Sequence, residues 1–298
     1  MLKSRTLLLA AVAVIGSAQA EDITLTGIDA FTASQKSTCG TLEEGVTRYG
    51  IFEGRAWSRV PGEKDRHLFD VLGINVRHCL VVNDETRGRG FRSVSREIMV
   101  YFDPATGDVA DEWDNPWTGE TIQPIHVAND PVNMRSIRYE RNEDGSPADA
   151  SRTFRRYGDI VASSAEIPLF YRNPLGGEFQ PYVGGMYHAM EIFNSFYAAD
   201  RILDSDVRSV GESHLAWSRV AQWLPWLEMG DRPGVMIFNA TGFSTFDQSR
   251  IPGKLKALLD ERYPEYWTPP PLDDDRPNET SWTVFKKHLE VRNAKTSQ

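Results

Sequence analysis

Four segments of this chain are dense in β-branched and aromatic residues: Arg48 to Val60, His67 to Val82, Phe91 to Phe102 and Thr121 to Ala128. They are cut apart by the turn formers Pro61-Gly62, Arg87-Gly-Arg-Gly90, Asp103-Pro-Ala-Thr-Gly107 and Asn115-Pro116. Short runs of that kind, separated by forced turns, read as an antiparallel meander. Side chains alternate across a strand. In Phe91 to Phe102 that puts Val94, Ile98, Val100 and Phe102 on one face, interrupted by Arg92 and Arg96. Ser93, Ser95, Glu97, Met99 and Tyr101 take the other. A half-polar face suits the interior of a ligand-holding barrel as well as a solvated exterior.

The rest extends the pattern. Residues 21–45 are polar and read as a short helix or arm with loop. Met134 to Arg141 and Ser151 to Tyr157 read as a hairpin around Asn142-Glu-Asp-Gly-Ser-Pro147. Ile160 to Tyr171, Ser209 to Val220 and Val235 to Phe243 read as strands, and Asn173-Pro-Leu-Gly-Gly177 as a loop. Met186 to Asp200 fits either period, and its alanines and length favour helix. Trp223-Leu-Pro-Trp226 reads as a loop or short helical turn. Gly253 to Arg262 is predicted helical, with Leu255, Leu258 and Leu259 on one face. Thr268 to Pro277 is a stiff proline-rich strap. Ser281 is the predicted cap of a final helix through Val291.

The first twenty residues are predicted to be a leader. Lys3 and Arg5 precede an apolar run, Leu7 to Ile15, too short to span a bilayer, and Ala20 ends an A-x-A-like site. The expectation is an exported, periplasmic protein, with residues 21–298 as one domain. Cleavage leaves 31 basic against 42 acidic residues, a formal charge of −11. Such a surface repels phosphate backbones, which argues against nucleic acid. No later stretch predicts membrane insertion. Cys39 and Cys79 can form a disulfide in an oxidising compartment or remain two thiols, one of them buried in a strand.

Three clusters carry candidate chemistry. His126 ends an apparent strand, with Asn129, Asp130 and Asn133 just beyond and Trp117 before it. An acid–base histidine needs a partner to orient it, which these supply if the chain turns at Asp130-Pro131; the competing reading is amides that only tie up a turn. Tyr187, His188 and Glu191 form the second. On a helix His188 and Glu191 share a face, and on a strand Tyr187 and Glu191 do; core packing is the alternative. Trp217, Arg219, Trp223 and Trp226 form the third, suited to an aromatic ring with a carboxylate held by arginine or to a hydrophobic plug. Of Arg77 and His78, adjacent in a strand, one at most points inward. The sequence has no H-x-H, H-E-x-x-H or cysteine cluster, and neither a Rossmann fingerprint nor a G-x-S-x-G elbow. Neither metal nor cofactor is called for.

The chain resembles the bacterial and fungal family catalogued as the domain of unknown function 1838. The resemblance rests on Arg66-His-Leu-Phe-Asp70, Ser95-Arg-Glu97, Asn115-Pro-Trp-Thr-Gly-Glu120, His126-Val-Ala-Asn-Asp-Pro-Val-Asn133, Asn173-Pro-Leu-Gly-Gly177, Trp223-Leu-Pro-Trp226, Met229-Gly-Asp-Arg-Pro-Gly234 and Pro277-Asn-Glu-Thr-Ser-Trp282. It implies no particular activity. Its strand rhythm is similar to that of lipocalin or calycin barrels. The expectation is therefore a mainly β, antiparallel barrel with its C-terminal helices packed outside. Its interior would hold a small apolar or aromatic molecule. The expected function is a cofactor-independent lyase or isomerase using His126, Tyr187, Glu191 and His188. Arg77, Trp117, Asn129, Asp130, Asn133, Trp217, Arg219, Trp223 and Trp226 would contact substrate. The alternatives are a non-catalytic carrier and a carbohydrate-processing enzyme using Glu97 and Glu191.

Overall fold

The computed structural model describes residues 20–172 and 186–296. Residues 1–19 of the predicted leader and the predicted loop at Asn173 to Gly177 lie outside the described residues. The elements run β1 (Glu21–Thr26), α1 (Gly27–Cys39), β2 (Arg48–Arg59), β3 (Arg66–Asp84), β4 (Gly88–Phe102), β5 (Trp113–Asp114), β6 (Thr121–Ile122), β7 (Val127–Asn129), β8 (Arg138–Tyr139), β9 (Ser151–Tyr157) and β10 (Ile160–Arg172). Then follow β11 (Met186–Ala198), α2 (Ala199–Ile202), β12 (Ser213–Ala221), β13 (Val235–Thr245), α3 (Gly253–Arg262) and α4 (Ser281–Thr296).

Eleven strands form one antiparallel sheet in the order β1-β9-β10-β11-β12-β13-β2-β3-β4-β7, with β8 on the edge of β4; β5 and β6 pair separately. The order is a path with two ends, so the expected barrel is not closed by hydrogen bonds among the described residues. The sheet nevertheless curls strongly. From β11 to β7 is six strand steps, roughly 29 Å if flat. Yet residues of β11 and β12 line one small cavity with residues of β4 and β7. Inward-facing glycines permit the bend. A Cβ on Gly242 would sit 2.2 Å from the Ile51 carbonyl oxygen, and one on Gly54 2.2 Å from that of Asn239.

Alternation in β4 sorts its two faces. Ile98, Val100 and Phe102 pack under Leu255, Leu258 and Leu259 of α3, on the convex side. Burying each of the fully covered Leu255 and Leu259 contributes about 2 kcal/mol. Met99 and Tyr101 face the interior. The C-terminal helices divide accordingly, which corrects the expectation that both lie outside. α3 is external, but α4 lies across the inner face: Trp282 packs on Tyr187, Ala189 and Ala221, and Phe285 and Leu289 join the core around Tyr101.

Three further expectations change. Met186 to Asp200 is mostly strand, because β11 pairs with both β10 and β12, and two ladders outweigh the local helical preference of its alanines. The turn at Asn142 to Pro147 forms, with the Asn142 N–H on the Ser146 carbonyl. The strands flanking it do not pair, because β9 ladders with β1 and β10 while β8 joins β4. A turn sequence reverses the chain without dictating what pairs beyond it. Residues 21–45 hold a strand and a thirteen-residue helix. Gly40, at φ 82°, ends α1 with its N–H on the Lys36 carbonyl. α1 covers one end of the interior, tied down by a Cys39–Cys79 disulfide.

Candidate functional site

The interior cavity measures about 290 Å³. Its apolar walls are Phe52, Met99, Val127, Phe193, Leu215 and Trp217. Its polar groups stand in two sets. On β3, β4 and β7, Glu97 accepts from Asn129 Nδ2 at 2.9 Å and from Asn75 Nδ2 at 3.4 Å, and Arg77 Nε donates to Asn75 Oδ1 at 2.8 Å. On β11 and β12, Arg219 donates to Glu191 Oε1 at 2.7 Å and to the Tyr187 hydroxyl oxygen at 3.0 Å. Burial alone would pull the Arg219 guanidinium down; the Tyr187 and Glu191 side chains outweigh it and hold it above its ordinary range. Arg77 is pulled down by burial, against the opposing charge of Glu97 and the nearby Tyr197.

Three buried polar atoms on cavity-lining residues have no protein partner: Trp217 Nε1, Arg219 Nε and Asn129 Oδ1. A buried polar group left unpaired costs about 1–3 kcal/mol. These atoms are hydrogen-bonding capacity that the framework leaves unused on residues bordering the cavity.

The structure brings together Arg77, Asn129, Glu191, Trp217 and Arg219, which line the cavity. Tyr187 stands just behind it, bonded to Arg219. The strand conformation of β11 decides the second cluster, since Tyr187 and Glu191 face inward and His188 faces out, against Phe170 at 4.4 Å. Likewise Arg77 points inward.

His126 does not line the cavity. Its Nδ1 accepts the Tyr101 backbone N–H at 3.2 Å. Burial pulls its pKa down to about 4, opposed by Asp111 and assisted by Arg262. Asp130 and Asn133 also serve the framework. Asp130 pairs with Arg276 at 2.8 Å, and Asn133 accepts the Ser95 N–H at 3.0 Å while donating to the Asp274 carbonyl at 3.2 Å. They bind the proline-rich strap to the sheet. Trp223 and Trp226 do not line the cavity either and pack with Trp117 in an aromatic cluster. The Trp117 and Trp223 rings meet at 5.0 Å, tilted by 49°, and Trp226 meets Tyr101 at 5.3 Å. Asn115 ties this cluster together, donating to the Leu227 carbonyl at 2.9 Å and accepting the Trp117 N–H at 3.0 Å.

Sequence reading passed over Asn75, Phe52 and Phe193 as pocket walls. Strand alternation is the signal that finds them, once register pairs Asn75 with Glu97 and Phe193 with Trp217. A wider cleft of about 560 Å³ beside α4, lined by Glu112, Glu120, Glu228 and His288 among others, shares no residue with the cavity. Among the described residues no group of His, Cys, Asp or Glu is arranged to hold a metal ion, and no helix is long and apolar enough to cross a membrane.

Comparison with known proteins gives two findings. The family model described as "Protein of unknown function (DUF1838)" matches residues 46–289. Among solved structures, DynF from the dynemicin biosynthesis pathway of Micromonospora chersina is similar at 12% identity, covering 81% of this chain and 91% of that one, with a TM-score of 0.26. No curated protein sequence matches significantly.

Proposed function

We propose, on the premise that this chain belongs to the DUF1838 family, that the interior cavity binds one small, largely apolar molecule and moves a proton on it with the chain's own side chains. The observation that carries this reading is the convergence of Glu97, Glu191, Arg77 and Arg219 on the walls of one aromatic-lined cavity. Glu191 is already paired with Arg219, whereas among the described residues Glu97 is hydrogen-bonded to the neutral amides of Asn75 and Asn129. Glu97 is therefore the carboxylate placed to take a proton from carbon. The electron pair left behind moves onto a carbonyl oxygen, and Arg219 is the cation placed to stabilise that enolate. Tyr187 is a positioning residue that orients the guanidinium. Return of the proton to the same or a neighbouring carbon completes an exchange or an isomerisation. The apolar walls favour an aromatic or terpenoid-like body over a sugar. The Cys39–Cys79 disulfide supports export to an oxidising compartment.

The test is deuterium wash-in. Small enolisable ketones with an aromatic ring, such as 2-tetralone, are incubated with the protein in D2O and followed by NMR. Exchange above background is expected, and Glu97→Gln should slow it by roughly a hundredfold or more with the melting temperature held. Exchange that Glu97→Gln leaves intact would remove Glu97 from its role. A second reading, a carrier without chemistry, is favoured by the fact that both cavity carboxylates already hold protein donors. Binding of these ketones without any exchange would establish it instead.

A further inference from the structure

Arg48 and Arg77 stand directly opposite each other in the ladder between β2 and β3, on its inward face. Like charges so placed destabilise a sheet. Arg48 is only 4% exposed. Among the described residues neither guanidinium bonds to a carboxylate. Arg48 donates to the Ser37 carbonyl at 3.2 Å and to Ser213 Oγ at 2.6 Å, and its Nε has no partner. Arg77 donates to Asn75 Oδ1 and to the Thr38 carbonyl at 3.3 Å. Ser37 and Thr38 belong to α1, so the pair sits where that helix covers the interior. Glu97 is the carboxylate whose charge acts on Arg77, and it is bonded instead to Asn75 and Asn129. Burial pushes Arg48 down to about 10, opposed by Tyr197 and assisted by Arg77. Arg152, donating to Ser163 Oγ at 3.3 Å, adds a third guanidinium near Tyr197.

Buried cations without an anionic partner are costly, and chains keep them where something else supplies the charge. Arg77 lines the cavity, as does Gly50, two residues along β2 from Arg48. Arg77 is therefore reached from inside the cavity, with Arg48 behind it in the ladder. Phe193 and Trp217, with ring centroids 6.3 Å apart, form an aromatic wall of the same cavity.

We propose that the α1 end of the cavity is an anion subsite, where Arg77, backed by Arg48, binds the anionic oxygen head of a ligand whose apolar body lies against Phe193 and Trp217. The head is a carboxylate or a phosphoryl group, since a guanidinium fork matches both. This inference shares its cavity with the proposed function but concerns binding alone. Deuterium exchange could fail while anion binding holds, or the reverse, so the two stand or fall separately.

The test is calorimetric titration of the full chain with 3-phenylpropionate, its neutral counterpart 3-phenylpropan-1-ol, and inorganic phosphate. The carboxylate should bind at least about tenfold more tightly than the alcohol, and Arg77→Gln should weaken it by about tenfold to a hundredfold, the range for a hydrogen bond to a charged group. Arg77→Lys keeps the charge but loses the fork and should fall between. Phosphate binding with the same dependence on Arg77, and no binding of the carboxylate, would support the subsite and assign it a phosphoryl head. Equal affinity for acid and alcohol, no binding of either anion, or affinity unchanged in the variants would overturn the proposal. The acid–alcohol comparison on the native chain decides the matter even if neither variant folds.

Discussion

The Nδ1 atom of His126 accepts a backbone hydrogen bond from Tyr101, and burial holds its pKa near 4. A folded value below the usual 6.5 means that the native state resists taking a proton which the unfolded chain accepts. The stability this provides is fully present above pH 6.5 and is lost as the pH falls through about 4. Over that window the loss amounts to about 3 kcal/mol. His126→Asn keeps an acceptor for the Tyr101 N–H but cannot titrate. Urea unfolding at pH 7 and pH 4.5 should show the acid loss in the native chain and a much flatter dependence in the variant. An equally steep fall would place the titrating group elsewhere. From the sequence alone, His126 looked like an acid–base group, because a histidine followed by amides at a turn is also what a site looks like. What separates the two readings is the partner of Nδ1, and that partner, Tyr101 on β4, lies 25 residues away in the chain.

Alternation within β4 was legible at the scale of the element, and the structure assigns its half-polar face, with Glu97 on it, to the interior. β11 was not legible in the same way. Its residues fit both periods, and the decision came from ladders to β10 and β12, one contributed from about twenty residues downstream. Inward glycines were also silent in the sequence, since a glycine that allows a bend reads like one that makes a turn. Gly242→Ala tests their role. Its methyl would press on the Ile51 carbonyl at 2.2 Å, so the strand must shift. A loss of about 1–3 kcal/mol is expected, measured by denaturant unfolding. A neutral result at Gly242 would show that the curl does not depend on that close approach.

For the whole molecule, the disulfide links α1 to β3 across 40 residues of sequence. The chain-entropy estimate for such a loop is roughly 3–4 kcal/mol. The Cys39→Ser, Cys79→Ser double variant should lose about that much in equilibrium unfolding. Because α1 carries Ser37 and Thr38 against the arginine pair, that variant should also bind 3-phenylpropionate more weakly. Unchanged stability would mean that α1 docks without the link. The sequence by itself determined the mainly antiparallel β character, the helix over Gly253 to Arg262 and membership of the family, because periodicity, turn chemistry and motif spacing are local. Only the tertiary structure decided that the sheet curls without closing among the described residues, that α4 crosses its inner face, and that Arg77, Glu97, Glu191 and Arg219 meet around one cavity. Those outcomes depend on register between strands far apart in the chain, and a one-residue slip in any of them would turn the same side chains outward.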